Sequence, residues 1–271
     1  MLVLSLGLVC ASAGGCSGTH GQGTGDLGTG KADLAGFQSG EPPDFSGLDF
    51  PPASGTIYAH TGTTLYTVDP ATYDLTTVGD FGGMDDMTDL AITPDNKIYT
   101  ISRTSLYEVD NSTAVATLVF NGIASSNVAL TFQPDGTLLA ADQSGMVRII
   151  DPSSHNVTEL GSYGTGFDTA GDLVAIADGT MYGVSTKSPA LGSTTNVLIK
   201  VNTASGKATA VGKIGYTGVF GVAYAGGRVL AFTSAGEIIK IDPSTGKGTL
   251  ARSYSGMKWY GAGTSPLVPV L

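Results

Sequence analysis

The sequence predicts an all-β chain folded as a five-bladed β-propeller of four-stranded antiparallel blades, and three observations lead there. One segment type is written five times, starting at Ile57 (IYAHTGTTLYTVDPATYDLTTVG), Ile98, Leu138, Met181 and Val229. An Asp or Asn marks the same point of each copy, at Asp69, Asp110, Asp151, Asn202 and Asp242, with spacings of 41, 41, 51 and 40 residues. Each copy consists of short apolar runs separated by Gly, Pro, Asp and Ser, with no stretch of helical period. A period near 40 built only from strands and turns is the signature of a propeller blade.

The second copy shows how one blade is built. Its four strands, a to d, are predicted at residues 90–93, 97–101, 105–109 and 116–120. The turn between a and b is Pro94-Asp95-Asn96, and it recurs as Pro134-Asp135-Gly136 and Ala177-Asp178-Gly179. Pro presets φ, and Asp, Asn and Gly tolerate the rest of a tight turn. The c–d turn opens with the repeated Asp or Asn, whose side chain accepts amides two or three residues on. A residue required identically in every blade is a turn device, so these regularly spaced carboxylates are not read as a metal array. Strand a is small and apolar in each copy (LAIT, ALTF, LVAIA, GVAY, GAGT), as the innermost strands around a narrow axis must be. The first copy lacks strand a. The orphan strand at 260–264 aligns with residues 220–224, and pairing it into the first blade closes the ring and removes two exposed edges. The segment from Pro266 is expected to leave the sheet.

The predicted organisation is a signal peptide (1–15), a Gly-, Asp- and Pro-rich tether (16–55), the propeller (56–265) and a short tail (266–271). Residues 2–9 (LVLSLGLV) form an apolar run too short to span a bilayer, followed by small residues and Cys16, which is the anatomy of an export signal. The tether lacks strand periodicity and the apolar surface needed to offset its ordering entropy. Cys10 falls in the signal, so with Cys16 modified the propeller would hold no thiol for a disulfide or a thiolate metal site. The formal charge of −10 repels phosphate backbones, and nucleic acid is not expected as a partner.

Ala13-Gly14-Gly15-Cys16 resembles the lipobox of bacterial lipoproteins, although Ala13 replaces the usual Leu and no basic residue precedes the apolar run. The resemblance implies a lipid on Cys16 and attachment to the bacterial envelope, with Ser17 pointing to the outer membrane. The repeat itself, LYxVDPxTGxxTxVG followed by PDGxLYA, resembles the broad YVTN, NHL and SMP-30-like group of β-propellers, which are WD40-like in architecture. That group mixes enzymes, sensors and scaffolds, so the resemblance implies a fold and not an activity.

Any site is expected on the face carrying the b–c loops and the d–a connections, because those segments hold the irregularity: the long loop 185–196 and the connections GDFGGMDDMTD and GSYGTGFDTAGD. Two residue groups are candidates there. Asp89 and Asp172 occupy matching positions at the entry to strand a, where the other copies have Ala129, Gly221 and Gly261; with Asp85, Asp86 and Asp168 they form an acidic set suited to Ca²⁺ or a cationic ligand. Phe167, Phe220, Trp259 and Tyr260 fall outside the repeat register, as stacking residues for a sugar or a peptide would. Phe81, Tyr163, Tyr254 and Ile214 share one register and are read as blade-to-blade packing. No GxSxG, HExxH, P-loop or cysteine nucleophile is present. The expected function is therefore a monomeric, non-catalytic binding or scaffold module at the cell surface, engaging a protein, peptide or glycan and needing no cofactor. The alternative is an extracellular glycan hydrolase or lyase that uses carboxylates at the channel mouth, with or without calcium.

Overall fold

The structure, a computed structural model, describes residues 55–83 and 86–270. The expected signal peptide (1–15), Cys16, the expected tether apart from its last residue, and Asp85 lie outside the described residues. The described chain forms five four-stranded antiparallel sheets, as the repeat predicts. Blade one contains β1 (Ile57–His60), β2 (Thr64–Val68) and β3 (Leu75–Asp80). Blade two follows with β4 (Asp89–Ile92), β5 (Ile98–Ile101), β6 (Ser105–Val109) and β7 (Ala116–Asn121). Blade three is β8 (Asn127–Phe132), β9 (Leu138–Asp142), β10 (Met146–Asp151) and β11 (Asn156–Ser162). Blade four is β12 (Gly171–Ala175), β13 (Met181–Ser185), β14 (Val197–Val201) and β15 (Ala208–Lys213). Blade five is β16 (Val219–Ala225), β17 (Arg228–Thr233), β18 (Glu237–Ile241) and β19 (Gly248–Ser253).

The last strand, β20 (Gly261–Gly263), is the inner strand of blade one. It pairs with β1 in the register Tyr58↔Gly263, Ala59↔Ala262 and His60↔Gly261. The ring is thus closed by joining the two ends of the domain in one sheet. The tail beyond Pro266 leaves the sheet as expected but stays attached, because Val268 is buried in the apolar cluster of blades four and five.

The burial pattern follows the radial position of each strand. The inner strands are buried on both faces, as in the BBBB of β4 and the BBBBB of β12, whereas the outermost strands alternate or are largely open. Neighbouring blades are tied by hydrogen bonds as well as apolar contact. The amides of Ala116, Ala208 and Gly248 donate to the carbonyls of Phe81, Tyr163 and Ile214 in the preceding blade. Those acceptors sit in the shared register read as interblade packing, and their side chains are buried. The repeated Asp residues do what a turn requires: Asp69 accepts the amides of Ala71 and Thr72, and Asp110 those of Ser112 and Thr113. These bonds favour the carboxylate form, and with the Ser112 hydroxyl first among them they lower Asp110 to about 2.

Removing residues 260–270 is expected to leave β1 with an unpaired inner edge and to lower Tm by at least about 10 °C, or to prevent folding, in differential scanning calorimetry. A truncated chain that melts like the intact one would contradict closure by β20.

Candidate functional site

Five innermost strands converging on an axis point backbone N–H groups at one another, and those donors need acceptors. In this chain two side chains supply them. Asp89 accepts the amides of Leu90 (2.8 Å) and Leu130 (2.6 Å). Asp172 accepts those of Leu173 (2.6 Å), Ala262 (3.2 Å) and Val222. Leu90, Leu130, Leu173, Val222 and Ala262 occupy the same register in β4, β8, β12, β16 and β20, so each blade contributes one donor to a single ring. Where the other three blades would carry the equivalent side chain there is only Ala129, Gly221 and Gly261. There is no room for more: a Cβ on Gly221 would lie 2.8 Å from the Gly261 carbonyl carbon, and one on Gly261 would lie 2.5 Å from both Asp89 Oδ1 and His60 Nε2.

Both carboxyl groups are fully buried, and each is raised well above its ordinary value of 3.8, with desolvation the largest cause. They also hydrogen-bond to each other. Repulsion from Asp172 raises Asp89 further, whereas the bonds from Asp89 and three amides favour ionised Asp172. The two carboxyls therefore titrate as a pair, both held towards the neutral form by burial. Three further polar atoms are buried without a hydrogen-bond partner in this region: His60 Nε2 and the hydroxyls of Thr169 and Tyr163. His60 Nδ1 donates to the Thr61 carbonyl (2.6 Å), and burial lowers the imidazole to about 4, so it is neutral with Nε2 free to accept.

Directly above this ring lies the mouth of the channel, a funnel of about 160 Å³. The residue preceding each ring position lines it: Thr88, Val128, Gly171, Phe220 and Tyr260, one from each blade. Asp86, Arg103, Gln143 and Thr169 complete the polar part of the wall. Phe220 and Tyr260 stack with centroids 6.3 Å apart at 28° and form the apolar side. The funnel opens on the face of the b–c loops and d–a connections, where the irregular segments place it.

The structure redistributes the residues expected to form the site. Phe220 and Tyr260 come together in the funnel, and Asp86 stands at its rim. Asp89 and Asp172 do meet, but beneath the mouth and enclosed, with every carboxyl oxygen accepting a backbone amide. A hydrolytic pair works on a substrate held between its carboxyls at roughly 5–10 Å; this pair touches and has no opening for one. Trp259 is a correction: it is fully buried, packing edge-to-face on Tyr66 (5.7 Å), Phe232 (5.6 Å) and Tyr254 (6.5 Å) within the blade-one and blade-five core. Phe167 is half-buried against the core of blades three and four and does not line the funnel. Asp168 is tied to Lys187 (3.1 Å) and to the Thr186 amide, which anchors the long loop 185–196 to the preceding connection. Among the described residues no group of three His, Cys, Asp or Glu side chains is placed to hold a metal ion. Arg103, Gln143, Thr88 and Thr169 were missed. Aligning the five copies one residue upstream of Asp89 would have marked Thr88, but Arg103, Gln143 and Thr169 come from loops without a repeat register.

No family model matches the chain, and no curated protein matches it. Among solved structures, it is similar to a chain of the nidogen/laminin complex, with 13% identity, coverage of 78% of this chain and 97% of that one, and a TM-score of 0.52. It is likewise similar to a chain from work on the de novo evolutionary emergence of a symmetrical protein shaped by folding constraints, with 17% identity, 80% and 97% coverage, and a TM-score of 0.51. At such identities the likeness shows the β-propeller fold and nothing about activity.

Two predictions follow from the ring. Asp172→Ala strands three buried amides and is expected to destabilise by at least about 3 kcal/mol, whereas Asp89→Asn, which keeps one accepting oxygen and strands one amide, is expected to cost less than Asp172→Ala in denaturant titrations. Stability should also depend on pH in opposite senses at two places. A carboxyl raised by folding contributes stability that is full below 3.8 and lost as pH rises through its folded value. His60, lowered from 6.5 to about 4, contributes stability that is full above 6.5 and lost as pH falls towards 4. Asp89→Asn should flatten the loss on the alkaline side and His60→Gln the loss between pH 6.5 and 4, as read from unfolding midpoints across pH.

Proposed function

We propose that the chain is a non-catalytic binding module that takes one ring-sized element of a larger ligand, a sugar unit or an aromatic side chain, into the axial funnel. The carrying observation is the funnel itself: a rigid cup with a stacked aromatic wall on one side, Arg103, Gln143, Asp86 and Thr169 on the other, and a floor sealed by the amide ring. A cavity of about 150 Å³ holds a benzene-sized group, so the funnel accommodates one ring and leaves the rest of a glycan or peptide across the surrounding loops. An apolar wall with a few convergent polar groups is the usual composition of a small-ligand site. The enclosed acid pair favours binding over hydrolysis, since neither carboxyl is open to a substrate.

The experiment is a screen of the intact chain against arrayed glycans and peptides, followed by Tyr260→Ala and Arg103→Ala. Both side chains are exposed, so their loss should leave the unfolding midpoint within about 1 °C while weakening the selected ligand at least about tenfold. A ligand that binds both variants as well as the parent chain would place recognition elsewhere.

The same proposal includes tethering of the module to a bacterial envelope through lipid on Cys16, supported by the apolar run at 2–9 and the small residues before the cysteine. Cys16→Ser is expected to move the protein from the membrane fraction to the soluble one. Continued membrane association would refute the anchor.

A further inference from the structure

The net charge of −10 conceals a segregation along the chain. Residues 181–265 carry nine Lys and Arg against two Asp and Glu, whereas residues 56–180 carry three against sixteen. All nine of those cations are exposed. Five of them, Lys200, Lys207, Arg228, Lys240 and Lys247, lie at or near the a–b and c–d turns of blades four and five, on the face opposite the funnel. None of the five makes an ion pair among the described residues.

Their placement is repeated. Lys200 and Lys240 hold the same position on β14 and β18, and Lys207 and Lys247 the same position in the turns that follow. In the other three blades these two positions are Thr67 and Asp74, Glu108 and Val115, and Ile149 and Asn156. The blade scaffold therefore does not require lysine there, and five cations set against the single groove carboxylate of Asp242 leave an excess of positive charge that an anionic partner would offset. Each blade has a shallow groove lined by its cations and by hydroxyls: Lys200, Lys207, Thr203 and Thr209 in blade four; Arg228, Lys240, Lys247, Thr245 and Thr249 in blade five, where the turn-capping Asp242, held by the Ser244 amide and hydroxyl, is the one carboxylate in the lining.

We propose that this sector is a docking surface for an anionic polysaccharide, whose successive carboxylate or sulfate groups engage the two grooves in turn. The grooves' chemistry selects this partner over other polyanions. They contain no aromatic side chain on which bases could stack, as single-stranded nucleic acid sites have. They also offer no exposed apolar anchor of the kind that seats a protein on a membrane surface. Ammonium groups flanked by threonine hydroxyls match a chain that alternates charged groups with hydroxyls.

The test measures binding of the intact protein to immobilised polygalacturonate and dextran sulfate, with neutral dextran, a single-stranded oligonucleotide and vesicles containing phosphatidylglycerol as the other arms. The expected result is retention by the charged polysaccharides alone, falling steeply with salt as counterion release requires. Reversing Lys200, Lys207, Lys240 and Lys247 to Glu should weaken binding at least about tenfold and flatten the salt dependence. The milder set with Gln at the same positions should fall between, and it serves if the reversed chain fails to fold. Lys213→Glu with Lys258→Glu, on the funnel face, should change affinity less than about twofold. The proposal is overturned if neither charged polysaccharide is retained, if the control pair weakens binding as much as the groove variants, or if the oligonucleotide or the vesicles bind more tightly than the polysaccharides.

Discussion

Everything in this propeller is arranged around five backbone amides that face one another across the axis. Closing a ring of five blades brings the inner strands so near that their N–H groups lose access to each other's carbonyls, and an unpaired buried donor costs roughly 1–3 kcal/mol. Two carboxyl groups satisfy all five. Burial raises both carboxyls, which favours their neutral forms, while the five converging amide dipoles favour negative charge at the same place. This use of carboxyls dictates the neighbouring sequence. The three blades that do not supply a carboxyl have glycine or alanine at the position, since any larger side chain would collide with the pair or with the backbone of the next blade. The same ring seals the channel and so gives the funnel above it a floor.

Much of this was legible in the sequence, and the part that was not has a physical reason. The repeat with its turn residues is local information, and it specified the blades, the closing strand and the role of Asp69, Asp110, Asp151 and Asp242. Asp89 and Asp172 stood out as departures from the repeat, but sequence position does not reveal depth. One residue of register separates a carboxyl at an open mouth from one sealed beneath it. Trp259 misled for the same reason: it breaks the repeat because it fills a gap where the last connection crosses blade five, which is a packing requirement of closure. Tyr260, its neighbour, points the other way and reaches the funnel, as alternation along an extended segment demands. Arg103 and Gln143 arrive from loops of different blades, and their convergence is a property of the closed ring that no local pattern records.

Charge shows a different kind of concealment. A whole-chain sum averages an acidic half against a basic half and reports only the excess. Taken blade by blade, the same letters separate a scaffold requirement, the capping Asp common to most copies, from the lysine pair that occupies one strand position and one turn position in two adjacent blades. The two faces of the propeller thus differ in kind. One carries irregular loops around a small enclosed cup, and the other carries regular turns over which charge alone varies.

Placing β20 beside β1 has a consequence for how the molecule comes into being. Asp172 cannot satisfy its donors, and blade one cannot complete its sheet, until Ala262 is present. The first strand of the domain therefore waits for nearly the last, a separation of about 200 residues that makes closure a long-range event with a large loop-entropy cost. Blades two to five can assemble in order as they are made, but the circle locks only once β20 is available to pair with β1. Until β20 is in place, β1 presents an open inner edge and the ring lacks the Ala262 amide that Asp172 accepts, so the closing strand supplies a sheet edge and an axial donor in one step.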